Sequence, residues 1–447
     1  MRMRGLLIAV ALLAALAGGV YWSNKSKEAA EKKNLTAEPA TTPKILAVPE
    51  GQFAKLSIRK TGGEATVAEL KAGKWELTSP KPLGADPESM RSMTTALSSL
   101  NADRVIEEKA ANLGEYGLEK PSIEVTVTQK DGKTRRLLIG DEVPTGTAFY
   151  ARVDGDPRVF TIPSYTKTSL DKDTKDLRDK RLLTFDSDKL TRVELTAKGQ
   201  SLELGKNNQN DWQILKPKPM RADGGQVEEL VRKLRDAKMD STAMSDEDAK
   251  KAAAAFAAGT PVAVAKVTDA AGTQELQIRK DKDKSYYAKS SVVQGVYKTT
   301  SDVGGGLDKG IDDLRNKKVF DFGWSDPTKM DVRDGAKQAS YQKSGDKWMS
   351  GGKQMDSTTM QTLVDKLRDL SATKFPDKGF STAAIDLTVT ANDGKRVERV
   401  ALAKTGNDWF AKRENEPALY QVDSTAVDEL QKAIGAVKEA APPAKKK

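Results

Sequence analysis

Three tryptophans frame what this chain can fold into. Trp75, Trp212 and Trp348 are spaced 137 and 136 residues apart. Each sits in a similar stretch: Gly73-Lys74-Trp75-Glu76-Leu77, Asn210-Asp211-Trp212-Gln213-Ile214 and Asp346-Lys347-Trp348-Met349. Self-similarity at a fixed period marks a repeated folding unit. A polar loop follows each tryptophan and ends on Asp86, Asp223 or Asp356. Aspartate suits a helix N-cap, because its carboxylate accepts from the unpaired N–H groups of the first turn.

Apolar residues at one-face helical spacing come next: Met90, Met93, Leu97 and Leu100, then Val227, Leu230, Val231 and Leu234, then Met360, Leu363, Val364, Leu367 and Leu370. The second half of each unit reads as strands. Ile123, Val125 and Val127 alternate with polar residues, as do Val262 and Val264, and Ile385, Leu387 and Val389. Such alternation predicts strands with one buried and one wet face. Asp131-Gly132, Ala271-Gly272 and Asn392-Asp393-Gly394 follow as tight-turn signals. Tyr150, Tyr287 and Phe410 open the next strand of each copy, and Ser164, Ser301 and Ser424 close the one after it.

Each unit therefore reads β-β-α-β-β-β-β-α. Strands joined by short turns rather than helical crossovers place the chain in the α+β class, as three tandem repeats of a mainly antiparallel sheet with amphipathic helices. Expected boundaries are 53–186, 187–323 and 324–440, with a basic disordered tail at 441–447. The first two copies end alike, in Asp176-Leu177-Arg178-Asp179-Lys180 and Asp313-Leu314-Arg315-Asn316-Lys317. The third has Val427-Asp428-Glu429-Leu430-Gln431 at that point, which reads as helix.

Ahead of the repeats, Met1 to Arg4 form a cationic head, and Gly5 to Trp22 carry no charge. As a helix that stretch would span about 27 Å, close to the bilayer core. Tyr21 and Trp22 would sit at the membrane interface. Residues 5–22 are thus expected to be a single transmembrane anchor, with cleavage after Ala17 as the alternative. Residues 23–52, rich in Lys, Glu, Ala, Thr and Pro, read as a disordered tether. The expected location is the inner membrane, with the repeats outside the cytoplasm.

The chain has neither Cys nor His. That excludes disulfides, Cys-ligated zinc or iron–sulfur sites, and Ser-His-Asp or Cys-His catalysis. No cofactor or metal is expected. The net charge of +10 arises from 74 basic and 64 acidic residues interleaved along the chain, which reads as a solvated surface rather than a nucleic-acid stripe.

Weighed site by site, the three tryptophans read as hairpin anchors, with sugar stacking as the alternative. The Asp176/Arg178 and Asp313/Arg315 pairs read as hinges between units, with partner-facing ion pairs as the alternative. Gly304-Gly305-Gly306 reads as a flexible connector, because no Gly-Lys-Ser/Thr follows it. Asp171, Asp173 and Asp176 are spaced like part of a calcium loop but lack its central Gly and terminal Glu.

An apolar segment with a tether behind it, Tyr116-Gly117-Leu118 with Pro121, and Asp176-Leu177-Arg178-Asp179-Lys180-Arg181-Leu182-Leu183 resemble a bacterial family known only as domain of unknown function 4340. The second copy departs from it, with Ala258-Gly259-Thr260-Pro261 in place of the Tyr-Gly-Leu element, and the third lacks the Leu-Arg-Asp-Lys segment. Members are often encoded beside gliding-motility-type ABC transporter components. The resemblance therefore implies a non-enzymatic accessory or scaffold protein, held by membrane lipid through its N-terminal helix and partnering an ABC permease or related envelope protein. It carries over no catalytic residue. A cell-wall or polysaccharide binder and a carboxylate-dependent hydrolase are the other readings.

Overall fold

A computed structural model describes residues 43–208, 210–242, 244–323, 326–414 and 416–441. The expected head, anchor and most of the tether, with Tyr21 and Trp22, lie outside the described residues, as does most of the tail. Among the described residues no helix is long and apolar enough to cross a membrane.

The described chain is α+β, with three sheets in which every strand pair is antiparallel. Among the described residues, those from 43 to 180 make one compact unit, and those from 181 to 441 make a second that contains two copies. In the first copy, β1 (Phe53–Lys60), β2 (Thr66–Lys71), β3 (Lys74–Ser79) and β4 (Leu83–Gly84) lead into α1 (Pro87–Ser98) and β5 (Arg104–Glu107). Then come β6 (Ile123–Gln129), β7 (Thr134–Glu142), β8 (Ala148–Val153), β9 (Val159–Pro163), α2 (Ser164–Leu170) and α3 (Thr174–Leu177). The sheet order is β4-β3-β2-β1-β6-β7-β8-β9-β5: two meanders joined at their first strands, closed at one edge by a short strand.

The second copy runs β10 (Arg192–Ala197), β11 (Gln200–Lys206), β12 (Trp212–Lys216), β13 (Met220–Arg221), α4 (Gly224–Arg235), α5 (Asp246–Ala258), β14 (Thr260–Asp269), β15 (Gly272–Lys280), β16 (Tyr286–Ser290), β17 (Val296–Thr299), α6 (Ser301–Gly306) and α7 (Ile311–Leu314). The third runs β18 (Lys329–Asp334), β19 (Lys337–Ser344), β20 (Lys347–Ser350), β21 (Lys353–Gln354), α8 (Ser357–Asp369), β22 (Ala372–Lys374), β23 (Ile385–Ala391), β24 (Arg396–Thr405), β25 (Asp408–Arg413), β26 (Leu419–Val422) and α9 (Ser424–Ala436). Both follow the order of the first sheet, except that the second lacks the closing short strand.

Local chemistry explains the elements. Asp86, Asp223 and Asp356 are the N-caps of α1, α4 and α8, accepting from Ser89, Gln226 and Thr359 N–H at 2.8, 3.0 and 3.0 Å. The predicted apolar faces of these helices are buried against their own sheets.

Four particulars differ from the sequence expectation. The first helix of each copy is preceded by four strands rather than two; of these, the two-residue strands such as β4 carry no periodicity. In β14 the period is right but the phase is not. Ala263, Ala265 and Val267 face the core, while Val264 is half-buried on the other side and Val262, at a register shift between Pro261 and Ala263, is half-buried against the core's edge. The run Pro261-Val262-Ala263-Val264-Ala265 is apolar at every position, so alternation alone cannot assign its faces. The Gly304-Gly305-Gly306 run is helical in α6 rather than a connector; a Cβ at Gly304 would lie 2.1 Å from the Tyr286 ring. Finally, Ile45, Leu46 and Val48, expected in the tether, are buried in the first core. Ile45 N–H donates to Leu100 C=O at 2.9 Å, so this lead segment is paired chain. Leu182, Leu183 and Phe185, and Val319, Phe320 and Phe322, hold the same place in the cores of the next copies.

Candidate functional site

The repeat markers fall at equivalent positions. Trp75, Trp212 and Trp348 lie at the start of the third strand of each sheet, paired with Leu70, Lys206 and Lys343. Trp212 and Trp348 are buried and Trp75 is half-buried. Lys206 lies 5.0 Å from the Trp212 ring centre and Lys343 6.0 Å from that of Trp348. The Trp212 indole N–H donates to Glu228 at 2.6 Å. Tyr150, Tyr287 and Phe410 pair with Thr161, Lys298 and Gln421, and the alanine after each is fully buried. The Tyr150 ring is also edge-on to Tyr116 at 4.9 Å.

The acidic and basic markers have separate tasks. Asp176 closes a capping box with Asp173 at the start of α3, and Asp171 pairs with Lys60 at 2.7 Å and with Lys167. These three aspartates thus act as caps and ion-pair partners, and among the described residues no cluster of Asp or Glu is placed to hold a metal. Asp313 accepts from Gly310 N–H and Lys198, each at 2.8 Å, and that cation and N–H hold its carboxyl below the usual range. Arg178 and Arg315 are both buried and form isolated bridges to the residue before the helix cap, Ala85 and Ala222.

Arg315 also reaches the third copy. Its guanidinium lies 3.5 Å from the Phe375 ring centre. Beside it, Arg221 of β13 extends into the same junction. It donates to Lys318 C=O at 2.6 Å and to the Tyr420 hydroxyl at 3.1 Å. Its Nε lies 2.7 Å from Glu416 Oε1 and its Nη1 3.2 Å from Asp321 Oδ2. These two are ion-pair contacts by distance, with the N–H groups not aimed for hydrogen bonds. Arg413 continues the network, pairing with Glu416 at 2.7 Å and Glu398 at 3.2 Å and donating to Val319 C=O. Tyr420 donates to Glu416 at 2.5 Å, and Asp321 N–H donates to Glu398 at 2.7 Å.

Electrostatics follow from this geometry. Burial would raise the Glu416 pKa, but Arg221, the Tyr420 hydrogen bond and Arg413 outweigh it and hold the carboxyl below its usual range. Burial raises the Tyr420 phenol, against the pull of Arg221. Above the network lies a polar cleft of about 680 Å³. Trp212, Asn207 and Asn210 form the second copy's wall, and Lys395, Arg396 and Val397 the third's. The sequence signal for this site is thin: Arg221, Glu398, Arg413 and Glu416 occupy no motif and are brought together only by docking of two sheets.

The comparisons follow the same period. A family described as domain of unknown function (DUF4340) matches residues 75–214 and 212–386, each match beginning on a repeat tryptophan. The chain belongs to the DUF4340 family. No curated protein matches it. The DUF4340 element Tyr116-Gly117-Leu118 sits at a close crossing, since a Cβ at Gly140 would lie 2.0 Å from Tyr116 C=O. In the second copy α5 and the following Gly259-Thr260-Pro261 stand in its place. The Leu-Arg-Asp-Lys place is filled in the third copy by residues 437–440: Asp356 N–H donates to Lys438 C=O, as Asp86 and Asp223 donate to Leu177 and Leu314.

Proposed function

We propose that this DUF4340 protein is a non-enzymatic accessory or scaffold protein, anchored in the inner membrane by residues 5–22, whose repeated units outside the cytoplasm engage an ABC-type transport or motility complex. One observation carries the non-enzymatic part. At Asp171, Asp313 and Glu416 the carboxyl pKa is displaced downward, by cations joined by an N–H group at Asp313 and by a hydroxyl at Glu416. A carboxylate-dependent hydrolase needs the opposite, an acid whose pKa is pushed up so that it holds a proton near neutral pH. The charged groups of the junction are spent on each other and on backbone carbonyls.

The polysaccharide reading has less support. Trp212 and Trp348 are buried with lysines beside their rings, and Trp212 spends its N–H on Glu228. A stacking platform needs an open ring face. The anchor and the ABC-type partner rest on the apolar N-terminal segment and on what DUF4340 resemblance implies about genetic neighbourhood. Mild-detergent purification of the full-length protein from its native membrane tests the reading. A permease subunit is expected to co-purify in stoichiometric amount. An unaccompanied protein, or retention on insoluble cell wall that is lost in Trp75→Ala, Trp212→Ala and Trp348→Ala together, would overturn it.

A further inference from the structure

We propose that the second and third copies behave as one cooperative body, coupled by the buried guanidinium of Arg221. The chain leaves no slack at the junction. Asn316 N–H donates to Arg221 C=O in the second copy at 3.0 Å, and the next residue, Lys317, accepts from Ala372 N–H in the third at 2.7 Å. Adjacent residues are thus fixed to different copies, with no linker between them to act as a hinge.

The side chains add a lock. The Arg221 side chain is 13% exposed, and its four partners, the hydrogen-bond acceptors on Lys318 and Tyr420 and the ion-pair carboxylates of Asp321 and Glu416, all belong to the third copy or to the segment leading into it. A charge this buried is stable only while its partners stay in place, and removing one partner strands the other. Arg315 on Phe375 and the Asn316 amide on Asp321 Oδ2 at 3.2 Å cross the same junction. Arg221 has no counterpart in the repeat, where Gly84 and Gln354 stand before the equivalent Ala85-Asp86 and Met355-Asp356. Arg221 is therefore particular to the second copy and is not a property of the unit. It also sets the separation of the two walls of the polar cleft.

Hydrogen–deuterium exchange across a urea series on the full-length protein tests this. In the unaltered protein, peptides from β10 and β14 and peptides from β23 and β24 are expected to lose protection at one common midpoint. Arg221→Met is expected to split them by roughly 0.5–1 M. Glu416→Gln, which keeps the shape but removes the charge and one acceptor oxygen, should split them less and decides the matter if Arg221→Met does not fold. Arg399→Gln, which breaks an exposed pair with Glu414 inside the third copy, should not split them. Two midpoints in the unaltered protein, or one shared midpoint in both Arg221→Met and Glu416→Gln, would overturn the proposal.

Discussion

The guanidinium of Arg315 rests 3.5 Å from the centre of the Phe375 ring, so a buried cation of the second copy is covered by an aromatic face of the third. Phe375 is itself edge-on to Tyr420, 5.3 Å between centres. Burial pushes the Arg315 pKa down, and the ring face repays part of the lost hydration. A planar guanidinium stacks where an ammonium does not. Arg315→Lys is therefore expected to destabilise the protein by about 1–2 kcal/mol in urea unfolding, and Phe375→Leu by a similar amount. An unchanged midpoint in both would mean that the stack is incidental.

Two buried tryptophans should respond differently to the same change. Trp212 donates its indole N–H to Glu228, while that of Trp409 is buried with no partner. Trp212→Phe loses a charge-assisted bond and should cost about 1.5–3 kcal/mol. Trp409→Phe removes an unpaired donor, so its loss should fall below about 1 kcal/mol. Thermal unfolding of the two variants side by side reads the difference.

The glycine run of α6 makes a sharper contrast. Gly304→Ala places a methyl against the Tyr286 ring and should cost about 1–3 kcal/mol. One residue on, Gly305 has only the Tyr286 hydroxyl at 3.8 Å, so Gly305→Ala should be neutral or gain up to about 1 kcal/mol from helix propensity. Equal effects in a melt would contradict the packing described.

Stability should be flat across neutral pH. The chain has no histidine, the side chain that ordinarily titrates there. Asp171, Asp313 and Glu416 have folded pKa values below their ordinary ones. Each contributes stability that is fully present above the unfolded pKa and is lost as pH falls through the folded one. The melting temperature should therefore hold steady from about pH 5.5 to 8.5 and fall below about pH 4. Glu416→Gln should show a shallower acid fall. A step near pH 6.5 would contradict this.

What the sequence made legible was what repeats locally. The three tryptophans, the aspartate caps and the amphipathic helices recur at fixed spacing, because each is dictated by neighbours within a few residues. The phase of β14 was hidden, because Val264 and Ala265 are both apolar and only burial separates them. The junction was hidden for a different reason: Arg221 and Tyr420 are 199 residues apart and meet only after two sheets have formed. The markers Arg178 and Arg315 were visible as a recurrent motif, but that Arg315 stacks on Phe375 required the third copy to be in place.

In-cell crosslinking of the full-length protein followed by mass spectrometry is the decisive test of an envelope scaffold role. Crosslinks from lysines of the repeated units are expected to converge on a membrane-embedded ABC-type subunit. Crosslinks confined to the protein itself, or to cell-wall material, would contradict it.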